Sequence, residues 1–242
     1  MSLLESFLPS GHVPPPNARV LLQHQHTNAA SSILCQLALN RARHGLRTLF
    51  VTHATPHDTP PAYPVVPSRG DDIDALLDCV IVKRVASIDE LHRLLIGFHL
   101  TDPGTPTPSA ILIDRLHDIC VASSASPGPT LTADSSPARY GRNSLTMHLT
   151  GVVALAAHAA DWMAAQPHGP KASSGGEIDH GEGTLVISCA NIHEASTLLS
   201  RWLSHQVDIH AGSAAHVFSL SLHNLDETLT PTEPPRCYFS CT

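Results

Sequence analysis

Features typical of secreted, membrane and zinc-binding proteins are missing from this chain of 242 residues. No apolar run is long enough to cross a bilayer, and residues 1–16 have neither the charged start nor the cleavage pattern of a secretory leader. The six cysteines include no Cys-x-x-Cys pair and lack histidine partners at zinc-finger spacing, so neither a structural zinc site nor a disulfide framework is expected. We therefore expect an intracellular protein with buried, reduced thiols and no membrane partner.

Positive charge is also scarce. Lys and Arg total 14 against 21 Asp and Glu, which gives a formal net charge of −7 and argues against strong, indiscriminate binding to nucleic acid. Because 42% of the residues are hydrophobic, the chain can form a full core. We expect a flexible segment at 1–17 and one domain at 18–242. Flexible insertions rich in Pro, Gly or Ser are expected near 55–70, 123–138 and 167–183.

A strand that ends in a single acid is the clearest feature that is present. Residues 109–114 read Ser-Ala-Ile-Leu-Ile-Asp, and an unbroken apolar run of this kind is typical of a strand covered on both faces. In α/β nucleotide-binding folds, an acid in this place holds Mg²⁺. A structural alternative is that Asp114 only caps the next turn, and the strand alone does not decide between the two.

Strands and helices alternate along the rest of the sequence, and short antiparallel strands follow at the end. This order predicts an α/β fold with a mostly parallel sheet, flanking helices and right-handed connections. A capping box of Ser87 and Glu90 begins one helix, Gly45 ends another, and Lys83 with Arg84 should lie at the carboxyl end of the third strand. The predicted elements are strands at 19–22, 47–53, 79–82, 109–114, 184–188, 207–210, 216–222 and 237–241, and helices at 29–44, 87–98, 144–165 and 194–204.

The segment after the first strand lacks the residues of a phosphate-binding loop. Such a loop has the pattern Gly-x-x-x-x-Gly-Lys-Ser/Thr, in which backbone amides wrap the phosphates and the lysine supplies charge. The matching positions here hold His24, residues 25–28, Ala29, Ala30 and Ser31. Only the serine is retained, and a serine early in a helix is too common to indicate function alone. We expect no ATP turnover and no bound cofactor.

Several short motifs are similar to one known family. They are Ser-x-Asp-Glu-Leu-His-Arg-Leu-Leu at 87–95, His99, Pro103-Gly104, Pro108-Ser109 before the strand into Asp114, and Leu-Leu-Ser-Arg-Trp-Leu at 198–203. Together they resemble the small RecA-like recombinase paralogues that partner the SWIM zinc-finger protein in the animal Shu complex. The likeness runs in order from about residue 19 to residue 239.

This resemblance implies a RecA-like core with antiparallel strands at its carboxyl-terminal edge. It also implies association with the SWIM zinc-finger protein and with the RecA-type strand-exchange recombinase, and a nuclear role in homologous recombination. Family members can carry an intact phosphate-binding loop, and RecA-type ATPases have a water-activating acid after the second strand, where residues 52–55 read Thr-His-Ala-Thr. Ser31 and Asp114 would then be remnants of an ATP and magnesium site without hydrolysis.

Contacts to single-stranded DNA are expected to be weak and to occur mainly through the complex. The candidates are cations near the carboxyl side of the sheet: Lys83, Arg84, Arg115, Arg139 and Arg142. Tyr140 lies between two of these arginines, an arrangement suited to phosphate contact with base stacking. Each of the five is more often an ordinary solvated charge, and with so few cations we expect binding that falls with salt.

The sequence is also compatible with two other functions. The chain could be a degenerate RecA-fold scaffold subunit of another assembly, such as the Elongator ring that serves tRNA modification, or an active ATPase with an unusual loop. His99, Asp114, His117 and Asp118 do not form a metal cluster in our interpretation, because helical spacing sends His117 and Asp118 to different faces.

Overall fold

In the computed structural model the described residues are 18–25, 27–54, 73–100, 107–124, 137–166, 183–190, 199, 201–211, 217–225 and 236–240. The strands are β1 (Arg19–His24), β2 (Thr48–His53), β3 (Val80–Val85), β4 (Ala110–Ile113), β5 (Thr184–Ala190), β6 (His205–Ala211), β7 (Val217–Asn224) and β8 (Arg236–Ser240). The helices are α1 (Thr27–Arg43), α2 (Ile73–Asp78), α3 (Ile88–Gly97), α4 (Leu116–Ser124) and α5 (Pro137–Ala164), and Phe98–Leu100 forms a 3-10 turn. The segment predicted at 1–17, most of the three insertions and the first part of the helix predicted at 194–204 lie outside the described residues.

The eight strands of the described ranges belong to one sheet, in the order β3-β2-β4-β5-β1-β6-β7-β8. The strands from β3 to β6 in this order are mutually parallel, β7 is antiparallel to β6, and β8 is antiparallel to β7. The predicted α/β class is therefore confirmed, with a mostly parallel sheet and antiparallel strands at its carboxyl-terminal edge.

Helices cover both faces of β4, which explains its unbroken apolar sequence. Ile111 and Ile113 pack in a core with α3, α4 and α5, whereas Leu112 packs in a second core on the opposite face, with α1. Because successive side chains of a strand alternate between faces, a strand buried twice needs an apolar residue at every position. Full burial of a side chain of this size stabilises the fold by about 1.5–3 kcal/mol.

The predicted cap of α3 is present with one difference. The backbone N–H of Glu90 donates to Ser87 Oγ at 3.3 Å, as the capping box requires. The Glu90 carboxylate accepts from the N–H of Ala86 at 2.8 Å, one residue before the N-cap. The first bond satisfies an amide that the helix itself leaves without a partner, and the second satisfies the amide just before the cap.

Gly45 ends α1 as predicted. Its φ of 70° lies in the left-handed region, and its N–H donates to the carbonyl of Ala42 at 2.8 Å. The N–H of Leu46 donates to the carbonyl of Arg41 at 3.1 Å, which completes the pair of bonds typical of a glycine-terminated helix.

The beginning of α5 differs from the prediction. The helix begins at Pro137 instead of residue 144, so Arg139 and Arg142 lie on a helix and not in a loop. Proline suits the first turn because its missing N–H would have had no acceptor there. The side chains of both arginines lie outside the described residues. Within the described ranges, no helix has the length and hydropathy needed to cross a membrane.

Candidate functional site

A row of polar side chains crosses the sheet at the carboxyl ends of three neighbouring strands, on the face that α1 covers. Strand register places Thr52, Asp114 and Ser188 side by side, one residue beyond the last position at which β4 pairs with β2 and β5. The level beneath them is apolar and is formed by Phe50, Leu112 and Val186. The polar row therefore lies where an open α/β sheet ordinarily binds its ligand.

Asp114 is the centre of this row and is completely buried. Ser31, in the second turn of α1, places its hydroxyl 2.9 and 2.8 Å from the two carboxylate oxygens. The hydroxyl of Ser188 donates to Oδ1 at 2.9 Å. A buried carboxylate is costly unless donors surround it, so these hydroxyls stabilise Asp114 and connect α1, β4 and β5 at one point.

Arg115 completes the local network and is not a free cation. Its backbone N–H donates to the Ser188 hydroxyl at 2.8 Å, and its φ of 54° is the only positive value at a non-glycine residue among the described residues. Its Nε lies 4.0 Å from Asp114 Oδ2 and 3.8 Å from Asp118 Oδ2. The guanidinium group is thus directed toward two carboxylates, which is a reason to discount it as a DNA contact.

The connection from β1 to α1 is too short to wrap a phosphate. β1 ends at His24 and α1 begins at Thr27, so only residues 25 and 26 lie between them. Ala30 occupies the place of the lysine and is fully buried. A cradle of backbone amides needs a longer, glycine-rich loop at this point. The residues present do not fit a bound magnesium nucleotide.

One contact is nevertheless similar to part of such a site. In phosphate-binding-loop proteins, the serine or threonine after the lysine and the acid at the end of a buried strand hold the magnesium ion together. Ser31 and Asp114 are the two residues at these positions, and they are in direct contact. Their separation of 83 residues made this contact invisible to local sequence patterns.

The end of β2 carries no acid. Thr52 and His53, the last two residues of β2, stand where the family resemblance implies a water-activating carboxylate. Thr52 Oγ1 and His53 Nδ1 are buried, and neither atom has a hydrogen-bond partner within the part of the chain that the structure describes. Among the same residues, no three His, Cys, Asp or Glu side chains converge as metal ligands.

The thiols near this edge are protonated and unreactive. Burial, and secondly the charge of Asp114, raises the pKa of Cys35 from 9.0 to about 12. Burial also raises the pKa of Cys120 to about 12 and, as the largest of several causes, raises that of Cys189. Because the thiolate is the nucleophile, none of the three is suited to covalent catalysis at neutral pH. Cys35 lies one helical turn after Ser31, a position that the sequence analysis had not singled out.

Lys83 and Arg84 lie inside β3 and not after it, which corrects the predicted end of this strand. Both are exposed, and their side chains alternate between the two faces of the edge strand. The intervening β2 separates Lys83 and Arg84 from β4, so these two cations do not lie beside Arg115.

Comparison with known proteins leaves the chain without an assigned family. No protein-family model matches it, and no curated protein has significant similarity to it.

Proposed function

We propose that this protein is a non-catalytic RecA-type subunit of a Shu-type mediator complex, which promotes assembly of the recombinase filament on single-stranded DNA during homologous recombination. The observation that carries the proposal is the contact of Ser31 with Asp114 beside a connection of only two residues. Two magnesium-holding positions of an ATP site are retained, while the phosphate cradle is lost. This combination fits a RecA-type domain in which the former site has become structural.

The sheet supports the RecA-type assignment. A parallel core comes first in the chain, and antiparallel strands β7 and β8 extend one edge of the same sheet. The strand that ends at Asp114 lies inside the parallel part, covered on both faces. This is the arrangement that the family resemblance implies.

The edge formed by β3 supports a role inside an assembly. Val82 is 57% exposed on this strand, and Leu77 on the preceding helix α2 is 54% exposed. Open sheet edges and exposed apolar side chains are favourable sites for pairing with another chain. The proposed partners are the SWIM zinc-finger protein and the strand-exchange recombinase, and we expect the chain to be stable as a heterodimer.

Affinity purification from the source cells, followed by mass spectrometry, tests the assembly. The proposal expects a SWIM zinc-finger protein and a recombinase among the enriched proteins. Enrichment of Elongator subunits without either partner would replace it with the tRNA-modification scaffold. Val82→Arg should weaken co-purification with the SWIM protein if β3 is the contact, whereas exposed Met147→Arg on α5 is a matched control.

Nucleotide titration of the purified complex tests the loss of catalysis. We expect neither heat of binding with ATP and Mg²⁺ nor hydrolysis by this subunit, because its two-residue connection cannot wrap phosphates. Hydrolysis that depends on Mg²⁺ and disappears in Asp114→Asn would show an active site and contradict the proposal.

Fluorescence anisotropy with labelled single-stranded DNA tests the weak DNA contact. In the complex, replacing Arg139 and Arg142 together by alanine should weaken binding and lower its salt dependence. Replacing Lys83 and Arg84 together, on the edge strand β3, is the comparison. If neither pair changes affinity or salt slope, the DNA site belongs to the partner.

A further inference from the structure

A cleft opens at the carboxyl ends of β1 and β6, away from the contact between Ser31 and Asp114. Its volume is about 360 Å³, within the range of small-ligand sites. From β1 the chain continues to β2, which lies toward the β3 edge of the sheet. From β6 it continues to β7, which lies toward the β8 edge. Open α/β sheets bind ligands at carboxyl-end crevices where connections diverge in this way.

A chain of hydrogen bonds crosses three strands beside the cleft. The Gln206 amide nitrogen donates to Gln23 Oε1 and to Asp208 Oδ1, both at 2.8 Å. His223 Nε2 lies 3.1 Å from Asp208 Oδ2. The two N–H groups of Gln206 are thereby used, while its carbonyl oxygen receives no donor from the described residues. The network therefore leaves Gln206 Oε1 as an acceptor for a ligand.

The charge of the lining has one sign. Three carboxamides, from Gln23, Gln25 and Gln206, accompany two imidazoles, one isoleucine and the carboxylate of Asp208. No lysine or arginine from the described ranges lines the cleft. With histidines counted as neutral, Asp208 supplies its only formal charge. Such a site repels phosphates and carboxylates and attracts a cation that carries N–H donors.

We propose that this cleft binds a guanidinium or ammonium group, with Asp208 as the charged acceptor and carboxamide oxygens as neutral acceptors. The group comes either from an arginine or lysine side chain of a partner protein or from a free amine. This site is independent of the recombination function proposed above, because it involves neither the β3 edge nor Asp114.

Chemical-shift titration of the full-length protein by NMR tests the site with three probes. These are agmatine, a peptide with one arginine among uncharged residues, and the same peptide with citrulline in place of arginine. We expect arginine to bind with shifts confined to β1, β6 and β7, and citrulline to bind about tenfold more weakly because it lacks the charge. If agmatine and the arginine peptide bind with equal affinity, the ligand is a free amine. If the peptide binds clearly more tightly, the ligand is a protein side chain.

Variants that change one charge complete the test. Asp208→Asn should weaken binding of arginine about tenfold, and Asp78→Asn, at an exposed carboxylate of α2, should leave it unchanged. Gln25 is exposed at the cleft, so Gln25→Glu adds a carboxylate without disturbing the core and should tighten binding. Equal affinity for arginine and citrulline, no binding of any probe, or tighter binding in Asp208→Asn would overturn the proposal.

Discussion

β4 and β6 are both interior strands of the same sheet, yet their sequences follow different patterns. β4 is apolar at every position because helices cover both of its faces. In β6, Val207 and Ile209 pack against the core beside α1, whereas Gln206 and Asp208 on the other face belong to the polar network. The comparison shows that a parallel strand is apolar throughout where helices cover both of its faces, whereas β6 alternates because its second face holds half-buried polar side chains.

The largest expected loss of stability comes from a core substitution in β4. Leu112→Ala should lower the free energy of unfolding by about 2–5 kcal/mol, because it leaves a cavity at a fully buried position. Gln206→Ala on β6 should cost only about 1 kcal/mol, the net value of its hydrogen bonds. Urea denaturation of both variants measures the difference, and similar costs would refute the contrast between the two strands.

Substitutions in the polar row should destabilise the fold less than substitutions in the core but more than substitutions at the surface. Ser31→Ala and Ser188→Ala should each lower the free energy of unfolding by about 1–3 kcal/mol, because each removes a hydroxyl donor from a buried carboxylate. A double-mutant cycle with Asp114→Asn isolates each coupling. Additive effects in that cycle would mean that the hydroxyls stabilise the fold without acting through Asp114.

Ionisation of the Cys35 thiol should change the stability of the fold at alkaline pH and not at neutral pH. The pKa of Cys35 is 9.0 in its ordinary state and about 12 in the folded protein, so the folded state holds the proton more tightly. The stabilisation is therefore complete below pH 9.0 and is lost as the pH rises toward 12. Cys35→Ala should unfold at a higher pH than the wild type in a base titration followed by circular dichroism, and an unchanged alkaline midpoint would contradict this assignment.

The smallest expected change in stability comes from a substitution in the edge strand β3. Val82→Ser should change the free energy of unfolding of the isolated chain by no more than about 0.5 kcal/mol, because the side chain is 57% exposed. Thermal unfolding checks this value, with Val51→Ser on the buried neighbouring strand as the contrasting variant. A large loss in Val82→Ser would indicate that residues outside the described ranges cover this edge.

The sequence predicted features that depend on neighbouring residues. The buried strand before Asp114, the glycine that ends α1 and the Ser87 cap were all visible because each has a local chemical requirement. The end of β3 was misplaced because an edge strand tolerates exposed Lys83 and Arg84, which resembled the start of a loop.

Long-range features could not be predicted in the same way. The contact of Ser31 with Asp114 depends on strand order, which no local pattern encodes. The early start of α1 depends on packing of its first turns against the sheet, and Ala29 and Ala30 are both buried there. The alternation of Val207, Asp208 and Ile209 was a usable signal for one polar face, although it did not indicate which side chains would meet across β1.

The position of β1 has a consequence for biosynthesis. β1 precedes the other strands that the structure describes, but both of its neighbours in the sheet, β5 and β6, are encoded after α5. Arg19 bonds to Ser204 across 185 residues, so the centre of the sheet cannot close until the chain through Ser204 has left the ribosome. Until then β1 is an apolar strand with two open edges, and a nascent chain in this condition is prone to aggregation unless chaperones protect it.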